Sequence, residues 1–340
     1  MKILLTGAAG FIGSAVMKAL CQRGHRVTGI DNINDYYSPR LKTDRLRELG
    51  FTDADPEMPM GTRLASTTLP EAAFIRADIT DADCVGQLMA ELHPDKVVHL
   101  AAQAGVRYSL ENPRAYIATN ITGFFNMADA CRLAGTGHLI YASSSSVYGA
   151  NRKIPYSESD PAEQPVSLYA ATKKSDELIA RAYDATFGLR STGLRFFTVY
   201  GPWGRPDMAP MIFMKAISRG MRLRLFNAGR MRRDFTYIDD VAKAVVAVTE
   251  SPAPQATAIY NVGRGEPVEL PEFLHTIEEY AGRKAIVEEA PMQKGDVEAT
   301  WADCSALQRD FGISPRVSLA EGLRKFHSWF AAYAPTNPEI

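Results

Sequence analysis

A short apolar run, Lys2–Thr6, leads directly into Gly7-Ala8-Ala9-Gly10-Phe11-Ile12-Gly13, and an apolar-periodic stretch continues to about Gly24. Strand, glycine turn and helix in that order restrict the fold more than any other feature of the chain. Glycines let a backbone approach a pyrophosphate, and a helix start offers free N–H groups and the positive end of its dipole. A glycine triplet alone is weak evidence for a dinucleotide. Here, however, a second strand over His25–Ile30 ends at Asp31, eighteen residues after Gly13. An acid in that place accepts both ribose hydroxyls and repels a 2′-phosphate, which favours NAD over NADP. The competing reading is a turn-rich junction with a surface aspartate.

Strand and helix patterns go on alternating. Ala73–Ala77 ends in Asp78-Ile79, a helix spans Asp81–Leu92, and Lys96–Leu100 runs into Ala101-Ala102-Gln103. Pro113–Ala134 reads as one long helix with proline near its first turn, and His138–Ala142 as the fifth strand. This alternation predicts an α/β fold, a Rossmann-like doubly wound parallel sheet with ligands at the carboxyl ends of its strands. Gly7, Asp31, Asp78, Ala101 and Ser144 all fall at such ends. Asp78 could bond adenine or cap the next helix, a role for which Asp81 competes. The stretch Gly50–Pro70 has no clear period and reads as a mobile surface loop, with a lid as the alternative.

Beyond Phe187, Leu194–Val199 reads as a sixth strand and Met208–Arg219 as an amphipathic helix. Arg230–Asp240 is basic, then aromatic, and opens a helix with an aspartate cap. Leu270–Ala281 and Leu319–Tyr333 complete a smaller C-terminal α/β lobe. The expected division is a dinucleotide-binding domain at 1–190, with contributions from about 191–200 and 234–262, and a lobe at 201–340 mainly for substrate.

Chemistry concentrates between Ser143 and Lys173. The run Ser143-Ser144-Ser145-Ser146-Val147-Tyr148-Gly149 follows a strand, and Tyr169 and Lys173 head a helix. Residues four apart on a helix share one face. Free tyrosine ionises near pH 10, so a base working near neutrality needs help. A lysine ammonium gives that help by favouring the phenolate, and a serine hydroxyl can bond the same substrate oxygen. The alternative is a surface helix carrying an ordinary tyrosine and lysine. Arg107, in Gly105-Val106-Arg107-Tyr108-Ser109, could reach an anionic substrate or simply face solvent.

With 340 residues the chain can bury a large core, and its net charge of −1 gives no reason to expect nucleic acid or an anionic membrane. Cys21, Cys84, Cys131 and Cys304 lack metal-ligand spacing and read as reduced thiols, with no metal expected. No run of 18 apolar residues and no leader pattern occurs, so a soluble cytoplasmic protein is expected. Phe124, Phe125, Leu178 and Ile179 place apolar side chains on more than one side of two helices. They could pair with their copies in a homodimer, or pack onto the sheet.

The glycine turn, Asp31, Ala101-Ala102 and Tyr169-x-x-x-Lys173 together resemble the extended short-chain dehydrogenase/reductase family acting on nucleotide sugars. Three longer stretches resemble its UDP-glucuronate 4-epimerases: Asp31–Tyr37, Ala101–Ser109 and Arg195–Met208. The resemblance implies a tightly held NAD that is reduced and reoxidised in each turnover. Its binding set would be Gly7, Gly10, Phe11, Ile12, Gly13, Asp31, Asn32, Asp78, Ile79, Leu100, Ala101, Ala102, Gln103, Asn120, Tyr169 and Lys173. Tyr169 would be the acid/base, with Lys173 and Ser144 beside it. The UDP-sugar would meet Arg107, Ser144, Ser145, Ser146, Thr198, Arg205, Arg233, Gln293 and Asp296. Related 4,6-dehydratases carry Asp-Glu, and UDP-glucuronate decarboxylases Glu, where Ser145 and Ser146 stand here; the missing acid pair argues against a dehydratase, while a UDP-glucuronate decarboxylase stays a lesser alternative. A UDP-hexose or UDP-N-acetylhexosamine 4-epimerase shares the catalytic residues and stays the alternative. A non-catalytic NAD-binding protein is the third reading.

Overall fold

The computed structural model describes residues 1–292 and 297–337. From the amino terminus it runs β1 (Lys2–Thr6), α1 (Phe11–Gln22), β2 (Arg26–Asp31), α2 (Pro39–Glu48), β3 (Arg63–Ala65), β4 (Ala72–Arg76), α3 (Ala82–Leu92) and β5 (Lys96–His99). Next come α4 (Tyr108–Glu111), α5 (Pro113–Tyr116), a π-helical turn (Ile117–Gly123), α6 (Phe124–Ala134), β6 (His138–Ser144), α7 (Leu168–Phe187) and β7 (Ser191–Phe196). The remainder is β8 (Thr198–Tyr200), α8 (Ala209–Arg219), β9 (Arg222–Phe226), β10 (Arg232–Tyr237), α9 (Ile238–Glu250), β11 (Ala258–Val262), β12 (Pro267–Glu269), α10 (Leu270–Ala281), β13 (Ile286–Ala290), β14 (Ala299–Thr300), α11 (Ser305–Phe311) and α12 (Leu319–Tyr333).

Two compact units share this chain. The first holds 1–151, 161–196 and 242–260; the second holds 152–160, 197–241 and the chain from Asn261 onward. The first unit is built on an eight-stranded sheet in the order β11-β7-β6-β5-β1-β2-β4-β3. From β7 to β4 every pairing is parallel, so the doubly wound sheet expected from the alternation is present. β1 is the switch point, flanked by β2 and β5, and the crevice for a ligand opens there. Helices cover both faces, and the inner strands are therefore buried almost throughout rather than on alternate residues. In the second unit β10 pairs with β8, β12 and β14, and Phe235 stacks on Phe273 with ring centroids 4.1 Å apart.

Several sequence-based boundaries shift. The Gly50–Pro70 stretch is not a plain loop: β3 lies within it, antiparallel to β4, and the Thr67 N–H and hydroxyl both donate to the Gly50 carbonyl. Three residues are too few to show a period, which hid the strand. The helix expected over Pro113–Ala134 is interrupted by the π-helical turn, where Asn120 is drawn inward to bond the β5 loop. The expected sixth strand divides at Phe197 into β7 and β8. Arg232–Tyr237 is a strand, and Asp240 lies within the first turn of α9, where its carboxylate accepts the Arg316 and Val317 N–H groups at 2.8 Å each. Asp81 caps α3 by accepting the Cys84 N–H at 2.9 Å.

Among the described residues no helix is long and apolar enough to cross a membrane, and no cluster of His, Cys, Asp or Glu could hold a metal ion. All four cysteines are free thiols.

Candidate active site

The glycine turn is as tight as its sequence demands. Gly7 has φ +73°, and a Cβ there would lie 2.8 Å from the Ala101 nitrogen; a Cβ on Gly13 would run into the Gly7 carbonyl oxygen. The first turn of α1 carries no acidic side chain and its N-cap is Gly10, so nothing competes for its N–H groups with an anion. Phe11, the first residue of α1, is buried.

Asp31, ending β2, accepts the Ala9 N–H at 3.2 Å on one carboxylate oxygen and the Ile33 N–H at 2.8 Å on the other. Each oxygen keeps a lone pair for a ribose hydroxyl. Arg45, 1% exposed, donates to the Ala9 carbonyl (3.1 Å) and to the Tyr37 hydroxyl (2.7 Å), clamping the loop after β2 onto the glycine turn. Asn32 donates to Asp78 at 2.8 Å, and Asp78 also accepts the Thr80 N–H and hydroxyl at 2.8 Å each. Ile79 packs where a Cβ on Gly123 would otherwise sit.

At the end of β5, the Leu100 N–H donates to the Thr6 carbonyl and the Ala101 N–H to the Thr6 hydroxyl. That hydroxyl also lies 2.8 Å from His99 Nδ1. Burial, aided by Lys173, pushes the His99 imidazole down to about 3, so it is neutral. Ala102 is half-buried beside Gln103. Asn120 is committed to bracing: its amide donates to the Gln103 carbonyl and the Thr172 hydroxyl, and its oxygen accepts the Gln103 N–H. Gln103 itself is buried with its side-chain Nε2 unpartnered. An orphaned donor beside a glycine turn, with an acid at the next strand end, suits a dinucleotide.

Ser167 caps α7 by accepting the Ala170 N–H, which places half-buried Tyr169 in the first turn and Lys173 one turn on. Lys173 Nζ reaches across to the Ala142 carbonyl on β6 at 3.0 Å and to Asp176 at 3.1 Å. The helix bearing Tyr169 is thereby tied to the strand bearing the serines. Ser144 accepts the Ser146 N–H and donates to its hydroxyl, both at 3.2 Å, which folds Ser145–Tyr148 into a 3₁₀ turn. Tyr116 lies edge-on to Tyr169 (centroids 6.1 Å), its hydroxyl donating to the Ala104 and Gly105 carbonyls. Arg107, at the start of α4, is exposed.

Sequence reasoning missed three buried residues behind this turn. Glu177 accepts two bonds from Arg195 at 2.8 Å each and one from Ser143 at 2.7 Å, while the Arg195 guanidinium covers the Tyr148 ring at 4.7 Å. Asp176 is the third. A signal existed: 169, 173 and 177 repeat at helical spacing, and Arg195 is a lone charge in an apolar strand.

Other expected substrate residues belong to the second unit. Thr198 pairs with Phe235 at the start of β8, and Arg205 forks onto Asp207 at 3.1 and 2.5 Å. Arg233 donates to the Arg232 and Glu298 carbonyls. Gln293 and Asp296 lie outside the described residues.

Residues 3–263 match the model of the NAD dependent epimerase/dehydratase family, and the chain belongs to that family. It is 43% identical to a probable UDP-glucuronate 4-epimerase of Rhizobium meliloti, over 97% of each chain. It is 41% identical to UDP-glucuronate 4-epimerase 4 of Arabidopsis thaliana, over 97% of this chain and 75% of that one. Among solved structures it resembles a UDP-glucuronic acid 4-epimerase of Bacillus cereus in complex with UDP-glucuronic acid and NAD. The TM-score is 0.87, with 33% identity over 98% of this chain and 99% of that one.

Proposed function

We propose that the protein is an NAD-dependent UDP-glucuronate 4-epimerase, interconverting UDP-glucuronate and UDP-galacturonate through a 4-keto sugar. One observation carries the reading: Lys173 ties the Tyr169 helix to a strand that ends in neutral hydroxyls, with no carboxylate among residues 143–148. That arrangement suits reversible oxidation at C4 and lacks the acids that elimination requires.

The Gly7–Gly13 turn would hold the pyrophosphate of NAD and Asp31 its ribose, with Gln103 beside it, and the cofactor so held would supply a reversible hydride acceptor for the sugar C4. Tyr169 takes the proton of the 4-hydroxyl and later gives it back, while Ser144 bonds the same oxygen. Lys173 stabilises the phenolate by its charge. Between the two transfers the keto sugar must turn about its diphosphate link, so the UDP end has to be gripped more firmly than the sugar. We assign that grip to Arg205 and Arg233 of the second unit, and contact with the uronate to Arg107 and Thr198.

A 4-keto uronate is a β-keto acid and loses CO₂ readily when the carboxylate bond stands perpendicular to the ketone plane. Ser144, Ser145 and Ser146 can hold the carboxylate off that angle and keep its charge hydrogen-bonded. Each such bond to a charged acceptor is worth roughly 1.5–3 kcal/mol.

Of the four residues expected to pair between copies, Phe124 is buried in the core of the first unit and Ile179 packs against it, whereas Phe125 and Leu178 are exposed; we assign Phe125 and Leu178 to a homodimer contact. Sedimentation of Phe125→Glu and Leu178→Glu variants tests it: they should run as monomers. The unpaired thiols support work in the reducing cytoplasm.

Purified protein incubated with UDP-glucuronate and no added cofactor should form UDP-galacturonate, identified by NMR. A panel including UDP-glucose and UDP-N-acetylglucosamine separates this reading from the hexose alternative. Turnover of those sugars alone would reassign the substrate.

A further inference from the structure

An ammonium carries three N–H donors. Two of those on Lys173 are taken, one by the Ala142 carbonyl on β6 and one by Asp176 on the next turn of α7. Acceptors on two different elements, both held rigidly, leave the third N–H one tetrahedral direction. Lys173 and Asp176 are 3% and 1% exposed, so water does not compete for these bonds. The other Asp176 oxygen is buried and has no partner. A buried carboxylate with one idle oxygen is costly, and here that cost is offset by compensating the buried Lys173 charge, which a neutral amide would leave unbalanced. The Asp176 charge is therefore set against Lys173, and through it against whatever Lys173 acts on.

Resting on the epimerase reading above, we propose that Asp176 is a positioning residue: it aims the third Lys173 N–H and offsets part of the positive charge that Tyr169 feels.

The groups facing Asp176 set how it responds to pH. Lys173 and Glu177 lie beside it on α7, and Tyr141 faces it from β6; His99 on β5 is close enough to feel Lys173. Glu177 is neutralised by Arg195 and Lys174. Burial pushes the Asp176 carboxyl up to about 7, against the pull of Lys173 and with a further push from Glu177. As pH falls, Asp176 gains a proton and the full Lys173 charge reaches Tyr169. Loss of the Asp176 charge thus strengthens the field of Lys173 as pH falls, so the acid limb of the activity profile is spread.

The test compares wild type, Asp176→Asn and Asp176→Ala holoenzyme, by kcat/KM against pH and by bound NAD released on denaturation. Asp176→Asn keeps an acceptor for Lys173 and removes the charge. It should retain NAD and move the acid limb to lower pH by about one unit. Asp176→Ala loses the acceptor, and kcat should fall about tenfold or more. An Asp176→Asn profile superimposable on wild type overturns the proposal, as does an Asp176→Ala enzyme with full kcat.

A second arm needs no substrate. In protein labelled with 13C at aspartate Cγ, the signal missing from Asp176→Asn should titrate near neutrality and shift to higher pH in Lys173→Met. Insensitivity to Lys173→Met overturns the proposal even if epimerisation is intact. Failure of wild type to epimerise any UDP-sugar overturns the functional reading instead, and the NMR arm still decides the pairing.

Discussion

Arg195 grips Glu177 through two hydrogen bonds of 2.8 Å, with the side chains 2% and 1% exposed, directly behind the serine turn. Burial alone would lift the Glu177 carboxyl, but the bonds from Arg195 and Ser143 outweigh it and leave it below its ordinary 4.5. The pair therefore adds stability that is present above that value and lost as pH falls through the lower folded one. Removing one partner strands the other charge in the core. Arg195→Leu should cost about 3–5 kcal/mol, and Glu177→Leu/Arg195→Leu together less than the sum of the singles. A double-mutant cycle by denaturant unfolding measures this.

Tyr169→Phe should leave bound NAD unchanged and lower kcat by about 10²–10⁴-fold, the usual range for loss of a general acid–base. Steady-state assays alongside the absorbance of extracted cofactor check both halves.

Replacing Ser145 and Ser146 with alanine should divert part of the flux from UDP-galacturonate to a UDP-4-keto-pentose and CO₂. Mass spectrometry of the products decides. A lower rate with no pentose would show that these hydroxyls do not restrain the carboxylate.

His99 is held neutral, its imidazole pushed from an ordinary 6.5 to about 3, first by burial and then by Lys173. The unfolded chain takes up a proton below pH 6.5 and the folded one does not. Its contribution to stability is thus present above pH 6.5 and is lost as pH falls toward 3, by roughly 1.4 kcal/mol per pH unit. His99→Asn should flatten the fall in Tm between pH 7 and pH 5, measured by calorimetry.

Arg45→Met should loosen the cofactor without touching the chemistry. It frees the Ala9 carbonyl and the Tyr37 hydroxyl, which hold the loop after β2 against the glycine turn. Gel filtration should strip NAD from this variant faster than from wild type, and added NAD should restore kcat.

Much of the site lies along the chain in a readable order. Lys2–Thr6 and its glycine turn stand where the spacing placed them, and helices Leu270–Ala281 and Leu319–Tyr333 match their periodicity end to end. Asn120 is different. Its role as a brace between Gln103 and Thr172 depends on a π-helical turn, and no local propensity distinguishes that turn from ordinary helix. β3 escaped notice because a three-residue edge strand is defined by its partner β4 and not by its own side chains.

Local sequence determined the elements that carry the chemistry: a turn that only glycine can make, an acid at a strand end, and a tyrosine and lysine one helical turn apart. Those follow from backbone sterics and helical period, which act over a few residues. Tertiary structure alone decided what surrounds Lys173. Ala142 is thirty-one residues away in the chain, and Asp176 looks like any helix-surface acid until the sheet buries it. Desolvation depends on everything packed around a group, so whether that carboxylate is solvated scenery or a charge pressed against a catalytic lysine appears only in the folded molecule.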